Sequence, residues 1–490
     1  MKLARLVAAA GLEAPGGADA EVTGFAIDHR KVAPGTVFGA FQGARADGES
    51  FIPDAVHAGA VAVVARPEAQ IAGAVHIADA NPRRAFARLA AGFFSPVPAH
   101  VVAVTGTNGK TSTVEMTRQI WRMAGERAAS IGTLGVTTPD ESVSTGLTTP
   151  DVVTFLANLA GLAREGVTHV AFEASSHGLT QYRNEGVRPQ AVAFTNLSRD
   201  HLDYHAGMED YFLAKMRLFD EVAADAGTAV VWMGAEPGEW APRAADHARR
   251  RGLAVMTVGE NGDTIRLRSR EPGHLGQVLT VEHAGGTHEV MLPLIGAYQA
   301  ANALVAAGLA LASGVAGEKV WDALGRLQPV RGRLERAAIT RSGAPVYVDY
   351  AHTPDAIAAA IEALRPHVAA RLITVLGAGG DRDHGKRGPM GAAAAAGSDL
   401  VIVTDDNPRG EDAGLIRAAV LEGAGANARE VADRRDAIGL AIAQAGAGDI
   451  VLIAGKGHEQ GQIVGAGSEM RILPFDDVTV ARECAGGLAA

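Results

Sequence analysis

The sequence predicts an α/β protein of three domains: a small N-terminal α/β domain, a central doubly wound parallel sheet that carries a P-loop, and a C-terminal Rossmann-like α/β domain. Three observations support this. The 490 residues exceed what one hydrophobic core usually organises. Short apolar runs alternate with helical spacing through much of the chain, as in doubly wound sheets. A glycine-rich turn at residues 106–109 separates an apolar strand from a helical segment.

Proline-containing junctions predict where the domains meet. Proline stiffens the chain and removes a backbone donor, so SPVPA at residues 95–99 is typical of a linker. PVRGRLE at residues 329–335 marks a second junction. Residues 263–293 are predicted to form a β-rich insertion in the central unit. The predicted domains are residues 1–98, 99–328 and 329–490.

Composition excludes several classes of protein. The net charge of −10 predicts neither nucleic acid nor an anionic membrane as a partner. No apolar run is long enough to span a bilayer. Cys484 is the only cysteine, so an intramolecular disulfide is impossible, and a reducing cytoplasm is the expected location.

The segment VVAVTGTNGKTST, residues 101–113, predicts a nucleotide site. A buried strand leads into the turn Gly106-Thr107-Asn108-Gly109, whose backbone N–H groups can approach phosphate oxygens at a helix N-terminus. Lys110 adds a positive charge, and the Thr111 hydroxyl can reach Mg²⁺. The strict P-loop pattern requires glycine where this chain has Val104, so the loop is a shortened one; an ordinary glycine turn is the alternative. We expect a nucleoside triphosphate here.

Two further segments of the central unit carry ionisable groups. Glu173 ends the strand HVAFEA and is placed to hold Mg²⁺, unless it is a solvated loop residue. TNLSRDHLDYH, residues 195–205, contains two aspartates and two histidines. Histidines that position phosphate or a magnesium-bound water fit this pattern better than a zinc site does, because the only cysteine is distant.

Lys215 occupies an unusual position for a lysine. In MEDYFLAKMRLFDEV the helical spacing places it on the apolar face formed by Tyr211, Phe212, Met216 and neighbouring residues. Its ammonium could extend to the rim of that face. Alternatively, desolvation lowers its pKa and makes the amine nucleophilic.

The C-terminal unit has polar clusters after successive apolar strands, at residues 348–355, 377–388, 404–410 and 455–459. Because the carboxyl ends of parallel strands meet at one edge of a sheet, we expect these clusters to line one crevice. Arginine pairs with a carboxylate and Asp or Glu receives an ammonium, so the clusters predict a site for a zwitterionic amino acid.

Together these segments resemble the Mur ligase family over nearly the whole chain. The resemblance rests on GTNGKTST, LTTPD, EASSHGL, TNLSRDHLDYH, the Lys215 helix, GRLE, VDYAHTPD, GDRDHGKRGPM, DNPR and GKGHE, which occur in this order. It implies an ATP-dependent amide ligase that makes an acyl phosphate. The implied substrates are UDP-N-acetylmuramoyl-L-alanyl-D-glutamate and meso-2,6-diaminopimelate, since DNPR resembles the motif of diaminopimelate-adding members. A monomer is expected.

The resemblance also implies roles for individual residues. The phosphate loop with Lys110, Thr111 and Ser112 would hold ATP and Mg²⁺, Glu173 and His201 would help to bind the metal, and Lys215 would carry a carbamate. The residues implied to position ATP are Asn302, Arg333, Asp349 and His352. Those implied to contact the muropeptide nucleotide are His29, Arg45, Ala46, Thr148, Thr149, Ser175, Gln181 and Arg183. Those implied to bind the amino acid are Arg382, Asp406, Asn407, Pro408, Arg409, Gly455 and Glu459.

The chain departs from the family pattern in two places. The usual D-S-R of the uridine domain is Asp28-His29-Arg30 here, and the usual G-x-F-N-x-x-N reads GAYQAAN at residues 296–302. The alternatives within the same reaction class are a folylpolyglutamate synthetase-like enzyme, another Mur enzyme and a lysine-adding member, against which the N-terminal unit and DNPR argue. A P-loop GTPase or motor would need a guanine-reading N/T-K-x-D, which the sequence lacks.

Overall fold

The computed structural model describes residues 1–13, 16–43, 47–143, 148–202, 204–273, 276–381 and 383–486. Arg45, Ala46 and Arg382, which the resemblance places in substrate contact, lie outside these described residues. Among the helices described, none combines the length and the apolar character needed to cross a bilayer.

The described chain folds into the following helices and strands. The helices are α1 (Leu3–Ala9), α2 (Ile52–His57), α3 (Pro82–Phe93), α4 (Lys110–Ala124), α5 (Val152–Arg164), α6 (Ser176–Thr180), α7 (Met208–Arg217), α8 (Trp240–Arg251), α9 (Ala297–Ala312), α10 (Gly317–Leu324), α11 (Pro354–Leu364), α12 (Arg387–Gly397), α13 (Ala413–Ala424), α14 (Arg434–Gln444) and α15 (Asp477–Cys484). The strands are β1 (Gly24–Ala26), β2 (Thr36–Gly39), β3 (Ala60–Ala65), β4 (Val75–Ala78), β5 (His100–Thr105), β6 (Ala128–Gly132), β7 (Gly135–Thr137), β8 (Ser142–Val143), β9 (His169–Glu173), β10 (Ala191–Phe194), β11 (Thr228–Trp232), β12 (Ala254–Gly259), β13 (Ile265–Gly273), β14 (Gly276–His283), β15 (Gly286–Leu292), β16 (Glu335–Ile339), β17 (Pro345–Asp349), β18 (Leu372–Leu376), β19 (Leu400–Val403), β20 (Ala428–Glu430), β21 (Ile450–Ala454), β22 (Gly461–Val464) and β23 (Arg471–Pro474).

Three sheets, one for each predicted unit, organise the chain. The N-terminal unit has a four-stranded parallel sheet in the order β1-β2-β3-β4. The C-terminal unit has a six-stranded sheet in the order β16-β17-β21-β18-β19-β20, in which only β16 runs antiparallel. The prediction of three α/β domains is confirmed.

The central sheet is larger and more mixed than a purely parallel sheet. Its eleven strands run in the order β15-β14-β13-β12-β11-β10-β5-β9-β6-β7-β8. The strands from β13 to β6 are parallel, while β14, β15, β7 and β8 extend the two edges as antiparallel hairpins. Buried residues alternate with partly buried ones along β14, and exposed residues alternate with less exposed ones along β15, which is the pattern of strands with one solvated face. The predicted β-rich insertion is therefore part of the central sheet.

Hydrophobic layers fix the central sheet on both faces. One layer packs α5 and α8 against the sheet, with α3 of the N-terminal unit reaching it through α5, and the other layer packs α4, α9 and α10. This double cover is why the strand β5 is buried along almost its whole length. As a result, the polar loops that follow β5, β9 and β10 all leave the sheet at the same edge.

Candidate active site

The phosphate loop, residues 106–109, joins β5 to α4 in a conformation that needs glycine. Gly106 and Gly109 have φ angles of +146° and +87°, in the region that side chains disfavour. A Cβ at Gly106 would overlap the Thr195 hydroxyl, and one at Gly109 would overlap the Asn302 carboxamide. Both glycines are thus required by backbone angle and by close approach.

Lys110 and the TNLSRD segment hold the phosphate loop in shape. Lys110 Nζ donates to the carbonyl oxygens of Gly106, at 3.0 Å, and Thr107, at 2.8 Å. Burial lowers the pKa of the Lys110 ammonium. The Asn108 N–H donates to Asn196 Oδ1 at 2.9 Å, so the loop after β10 supports the loop after β5. The N-terminus of α4, with the Lys110 ammonium beside it, is suited to polyphosphate.

Glu173 is buried at the carboxyl end of β9, with 2% of its surface exposed. Its Oε1 accepts from the Thr133 N–H at 2.7 Å, and its Oε2 accepts from the Thr133 hydroxyl at 3.1 Å. Burial raises the pKa of the Glu173 carboxyl, while Lys110 and the hydrogen bonds of Thr133 and Thr111 act to lower it. Among the described residues, no group of three or more His, Cys, Asp and Glu side chains forms a metal cage.

Lys215 is buried in α7, as its place on the apolar face predicts, with 1% of its surface exposed. Its Nζ donates to the Gly106 carbonyl oxygen at 2.8 Å and lies 4.2 Å from the centre of the Tyr211 ring. Burial, reinforced by the charge of Lys110, lowers the pKa of the Lys215 amine well below its usual range. The alternative, in which the ammonium extends to the rim, is wrong. The backbone continues from α7 into a π-helical turn, Leu218–Val222, a feature that often marks functional sites.

Three histidine rings lie near Tyr211, the residue whose ring contacts Lys215. The rings of His177 and His201 meet edge to face at 5.0 Å, and the His205 ring lies 5.1 Å from Tyr211. His201 has a φ of +54°, unusual for a residue with a side chain. Desolvation lowers the pKa of His201, so its ring is neutral at neutral pH.

Arg333 connects the C-terminal unit to the phosphate loop. Its Nη2 donates to the Thr111 hydroxyl at 3.0 Å, and its guanidinium lies 4.6 Å from the centre of the Tyr350 ring. Asp349, at the end of β17, accepts from the Leu334 N–H at 2.6 Å, and burial raises its pKa. His352 Nδ1 lies 2.8 Å from the Tyr350 carbonyl oxygen. The four residues assigned to ATP by resemblance therefore lie at this junction, with Asn302 on the central side.

A chain of polar contacts joins the residues expected to contact the muropeptide nucleotide to Glu173. The Thr148 and Thr133 hydroxyl oxygens are 3.0 Å apart, and the Thr149 hydroxyl donates to the Glu173 carbonyl oxygen at 3.0 Å. The hydroxyls of Thr149 and Ser175 are 3.0 Å apart. Arg183 donates to the Thr149 carbonyl oxygen at 2.7 Å and to Gln181 Oε1 at 2.8 Å.

His29 lies in the N-terminal unit, away from this chain of contacts. Its ring stacks on Phe51 with the ring centres 4.4 Å apart and the planes 6° apart. The neighbouring Arg30 donates to Asp28, and this hydrogen bond lowers the pKa of the Asp28 carboxyl to about 2. The departure from D-S-R thus places a flat, stacked ring where serine is usual.

A cavity of about 310 Å³ lies between the central and C-terminal units. Asp200 and His201 line it from the central side, and the loops after β17, β18, β19 and β21 line it from the other. The clusters predicted to share one crevice do so. Its C-terminal lining includes these residues: His352, Asp383, Lys386, Asp406, Asn407, Arg409, Gly455 and Glu459.

The loop that contains DNPR, residues 404–410, is held in place by hydrogen bonds to other parts of the C-terminal unit. Arg409 Nη1 donates to the Gly380 carbonyl oxygen at 2.9 Å, and the Arg409 backbone bridges to Val464 of β22. Asn407 Nδ2 donates to Glu459 Oε2 at 2.8 Å. The Asn407 amide, which the sequence suggests as a substrate contact, is thus used inside the protein.

Four contributors to the site received no individual site role from the sequence: Thr133, Tyr211, Tyr350 and Lys456. Each contacts a residue that the prediction includes. Lys456 lies within the motif GKGHE, between the predicted substrate residues Gly455 and Glu459, and this position was the signal that the sequence offered. Tyr211 and Tyr350 lie in predicted segments, but the sequence does not show that they contribute an aromatic face, and it does not indicate that Thr133 donates to Glu173.

Comparison with known proteins agrees with this arrangement. Family descriptions match three successive parts of the chain: Mur ligase family, catalytic domain, at residues 21–94; Mur ligase middle domain at 104–310; and Mur ligase, glutamate ligase domain, at 332–457. The UDP-N-acetylmuramoyl-L-alanyl-D-glutamate--2,6-diaminopimelate ligase of Zymomonas mobilis is 58% identical, with 98% of each chain covered. The chain belongs to the Mur ligase family.

Two further relatives place the chain within the family. The ligase of the same description from Bradyrhizobium diazoefficiens is 50% identical over 97% of both chains. A solved structure of a UDP-N-acetylmuramoyl-L-alanyl-D-glutamate--2,6-diaminopimelate ligase superimposes with a TM-score of 0.70 at 31% identity, covering 99% of this chain and 98% of the other. The predicted family and the predicted class of ATP-dependent ligase are confirmed.

Proposed function

We propose that this Mur ligase joins meso-2,6-diaminopimelate to UDP-N-acetylmuramoyl-L-alanyl-D-glutamate in peptidoglycan synthesis. The observation that carries the proposal is the cavity in which the DNPR loop and Glu459 face Asp200 and His201 across the junction. The high identity to diaminopimelate ligases along the whole chain supports it. Pro408, Arg382, Arg45 and Ala46 enter the proposal by resemblance alone.

The first step is activation of the nucleotide-linked carboxylate. A carboxylate is a poor electrophile, so one of its oxygens attacks the γ-phosphorus of ATP, and ADP leaves. Lys110 and the N–H groups of the phosphate loop offset the charge of the two approaching anions. Arg333, which already contacts Thr111, extends this positive field from the C-terminal unit. The product is an acyl phosphate.

The second step is attack of the amino acid on the acyl carbon. The amine must arrive deprotonated, and the carbon–oxygen bond to phosphate breaks as the amide forms. Asp200 is the candidate to take the proton, since its carboxylate lines the cavity. Packing of the two units against each other keeps water from the acyl phosphate.

We assign the metal site to Thr111, Glu173, His201 and carbamylated Lys215. Hydroxyl and carboxylate oxygens are the donors that Mg²⁺ prefers, and phosphate oxygens complete its shell in such sites. When bound, Mg²⁺ would neutralise charge on the phosphates. The low pKa of Lys215 supports the carbamate, because only a neutral amine reacts with carbon dioxide.

Several accompanying proposals come from the sequence. The domains are assigned to residues 1–98, 99–328 and 329–490, the first for uridine, the second for ATP and the third for the amino acid. The protein acts in the cytoplasm, where both nucleotide substrates are available, and as a monomer. Sedimentation of the purified protein tests the last statement.

The experiment that tests the proposed function is phosphate release from ATP across a panel of amino acids. Release should require the UDP-linked dipeptide and meso-diaminopimelate together. Lysine in place of diaminopimelate is the control, since it lacks only the distal carboxylate. Equal release with lysine would contradict the assignment, and release without any amino acid would indicate a nucleotide switch.

A further inference from the structure

Lys456 is a fully buried cation beside the amino-acid cavity. It follows β21 within GKGHE, and none of its surface is exposed. Its Nζ donates to Asn407 Oδ1 at 2.9 Å and to Asp406 Oδ1 at 3.2 Å, and lies 3.6 Å from Glu459 Oε2. Lys456 is not among the residues that line the cavity. A buried ammonium is tolerated only when it is paired and hydrogen-bonded, so Lys456 and its three partners constrain one another's positions.

The Asn407 amide ties this cation to the rest of the loop. Its Oδ1 accepts from Lys456 and also from the Ile463 N–H of β22, at 2.8 Å. Its Nδ2 donates to Glu459. One amide therefore links three separate segments: the loop after β19, the loop after β21 and the β22–β23 hairpin.

The DNPR loop has a backbone that needs such support. Asn407 and Arg409 have φ angles of +45° and +52°. Residues with side chains disfavour this region and remain in it only where surrounding contacts determine the conformation. The bonds of Asn407 and the pairing of Arg409 with β22 supply those contacts.

Lys456 also sets the charge of the subsite. Asp406 and Glu459 are two carboxylates that would repel each other without a cation between them. Burial and the Asp406 charge raise the pKa of Glu459, while Lys456 lowers it. The charged and titratable groups that act on this pair from the packed elements are Lys456, Arg409, Arg434 with its partner Asp477, and Tyr350.

We propose that Lys456 is a positioning residue for the incoming amino acid, holding Asp406, Asn407 and Glu459 in the geometry and charge state that receive its ammonium. The proposal rests on the proposed function, because that function supplies the amino acid. Lys456 itself touches no substrate. Its removal should weaken amino-acid use while leaving the phosphate loop and the nucleotide-contacting cluster unchanged.

The test compares Lys456→Met and Lys456→Gln with a matched control, Asp449→Asn. Asp449 is also buried and ion-paired, with Arg371 at 2.7 Å, but lies at the opposite end of β21. We expect Lys456→Met to raise KM for meso-diaminopimelate at least tenfold, with KM for ATP and for the UDP-linked dipeptide changed less than twofold. Lys456→Gln can keep one hydrogen bond to Asn407 but lacks the charge. Its KM for meso-diaminopimelate should therefore lie between those of Lys456→Met and the wild type.

A pH profile separates positioning from general stability. Lys456 lowers the pKa of the Glu459 carboxyl, so losing the cation raises that pKa. The acid limb of kcat/KM for diaminopimelate should therefore move to higher pH in both Lys456 variants and not in Asp449→Asn. The proposal is overturned if Lys456→Met raises KM for all three substrates by the same factor, if the acid limb does not move, or if neither Lys456 variant folds. Failure of the proposed function looks different, because the wild type would then release no phosphate in response to diaminopimelate.

Discussion

Replacement of Lys215 gives the most direct test of the catalytic assignment. The amine is buried against Tyr211 and hydrogen-bonded to Gly106, and burial lowers its pKa. A neutral amine adds carbon dioxide and releases a proton, which replaces a potential cation by an anion beside the phosphate loop. We predict that Lys215 in the active enzyme is carbamylated.

Two quantities matter here: the share of Lys215 that is neutral and can react with carbon dioxide, and the loss in kcat when a stabilising group is removed. An ordinary lysine, with a pKa of about 10.4, is neutral in roughly one molecule in a thousand near pH 7.4. Each unit by which burial lowers that pKa multiplies the reactive share by about ten. Loss of one preorganised polar group that stabilises developing charge in the transition state costs about 100- to 1,000-fold in kcat. Lys215→Ala should therefore lose activity by about that factor.

The assay combines rescue with a spectroscopic signature. Lys215→Ala should regain part of its turnover with a small added carboxylate, and Lys215→Arg should not, because a guanidinium is not carbamylated. Wild-type protein in ¹³C-bicarbonate should show a carbamate carbon signal that is absent from Lys215→Ala. Near wild-type turnover of Lys215→Arg, or no such signal in active wild-type protein, would refute the reasoning.

Three further predictions follow from other contacts. Arg409→Ala should reduce kcat/KM for diaminopimelate by tens- to thousands-fold, since losing a buried charge pair costs about 2–5 kcal/mol, and should leave KM for ATP nearly unchanged; an equal loss for ATP would contradict this. Asp477→Asn leaves Arg434, which it bonds at 2.7 Å, as an unpaired buried charge, so urea unfolding should show about 3–5 kcal/mol less stability, and a loss below about 1 kcal/mol would indicate that water replaces the partner. The C-terminal unit should turn as a rigid body about residues 329–332, so X-ray scattering should show a smaller radius with an ATP analogue and both substrates than without ligands; an unchanged radius would count against the hinge.

Much of the site was predictable because parallel strands bring their following loops to one edge. The loops after β5, β9 and β10 meet for this reason, and so do those after β17, β18, β19 and β21. The burial of Lys215 was predictable from helical spacing. These inferences need only the period of each element and the direction of its strands.

The remaining contacts depend on side-chain directions in irregular segments. The Arg333–Thr111 bond joins residues 222 positions apart, and its existence depends on how two units dock. The inward turn of Asn407 depends on a left-handed backbone that nothing in the letters DNPR requires. Proximity to substrate residues was therefore predictable, whereas the division between substrate contact and internal support was not.

The pairing of the DNPR loop with the β22–β23 hairpin bears on how amino-acid choice can change during evolution. Arg409 bonds to Ile463, Gly465 bonds back to Arg409, and Ile463 bonds to Asn407. The four residues of the motif thus belong to a larger structural unit that includes residues 461–474. Transfer of the four motif residues alone into another ligase would supply their side chains without the strand β22 that holds the loop in its conformation. Exchange of loop and hairpin as one piece would change the choice of amino acid and spare the ATP machinery.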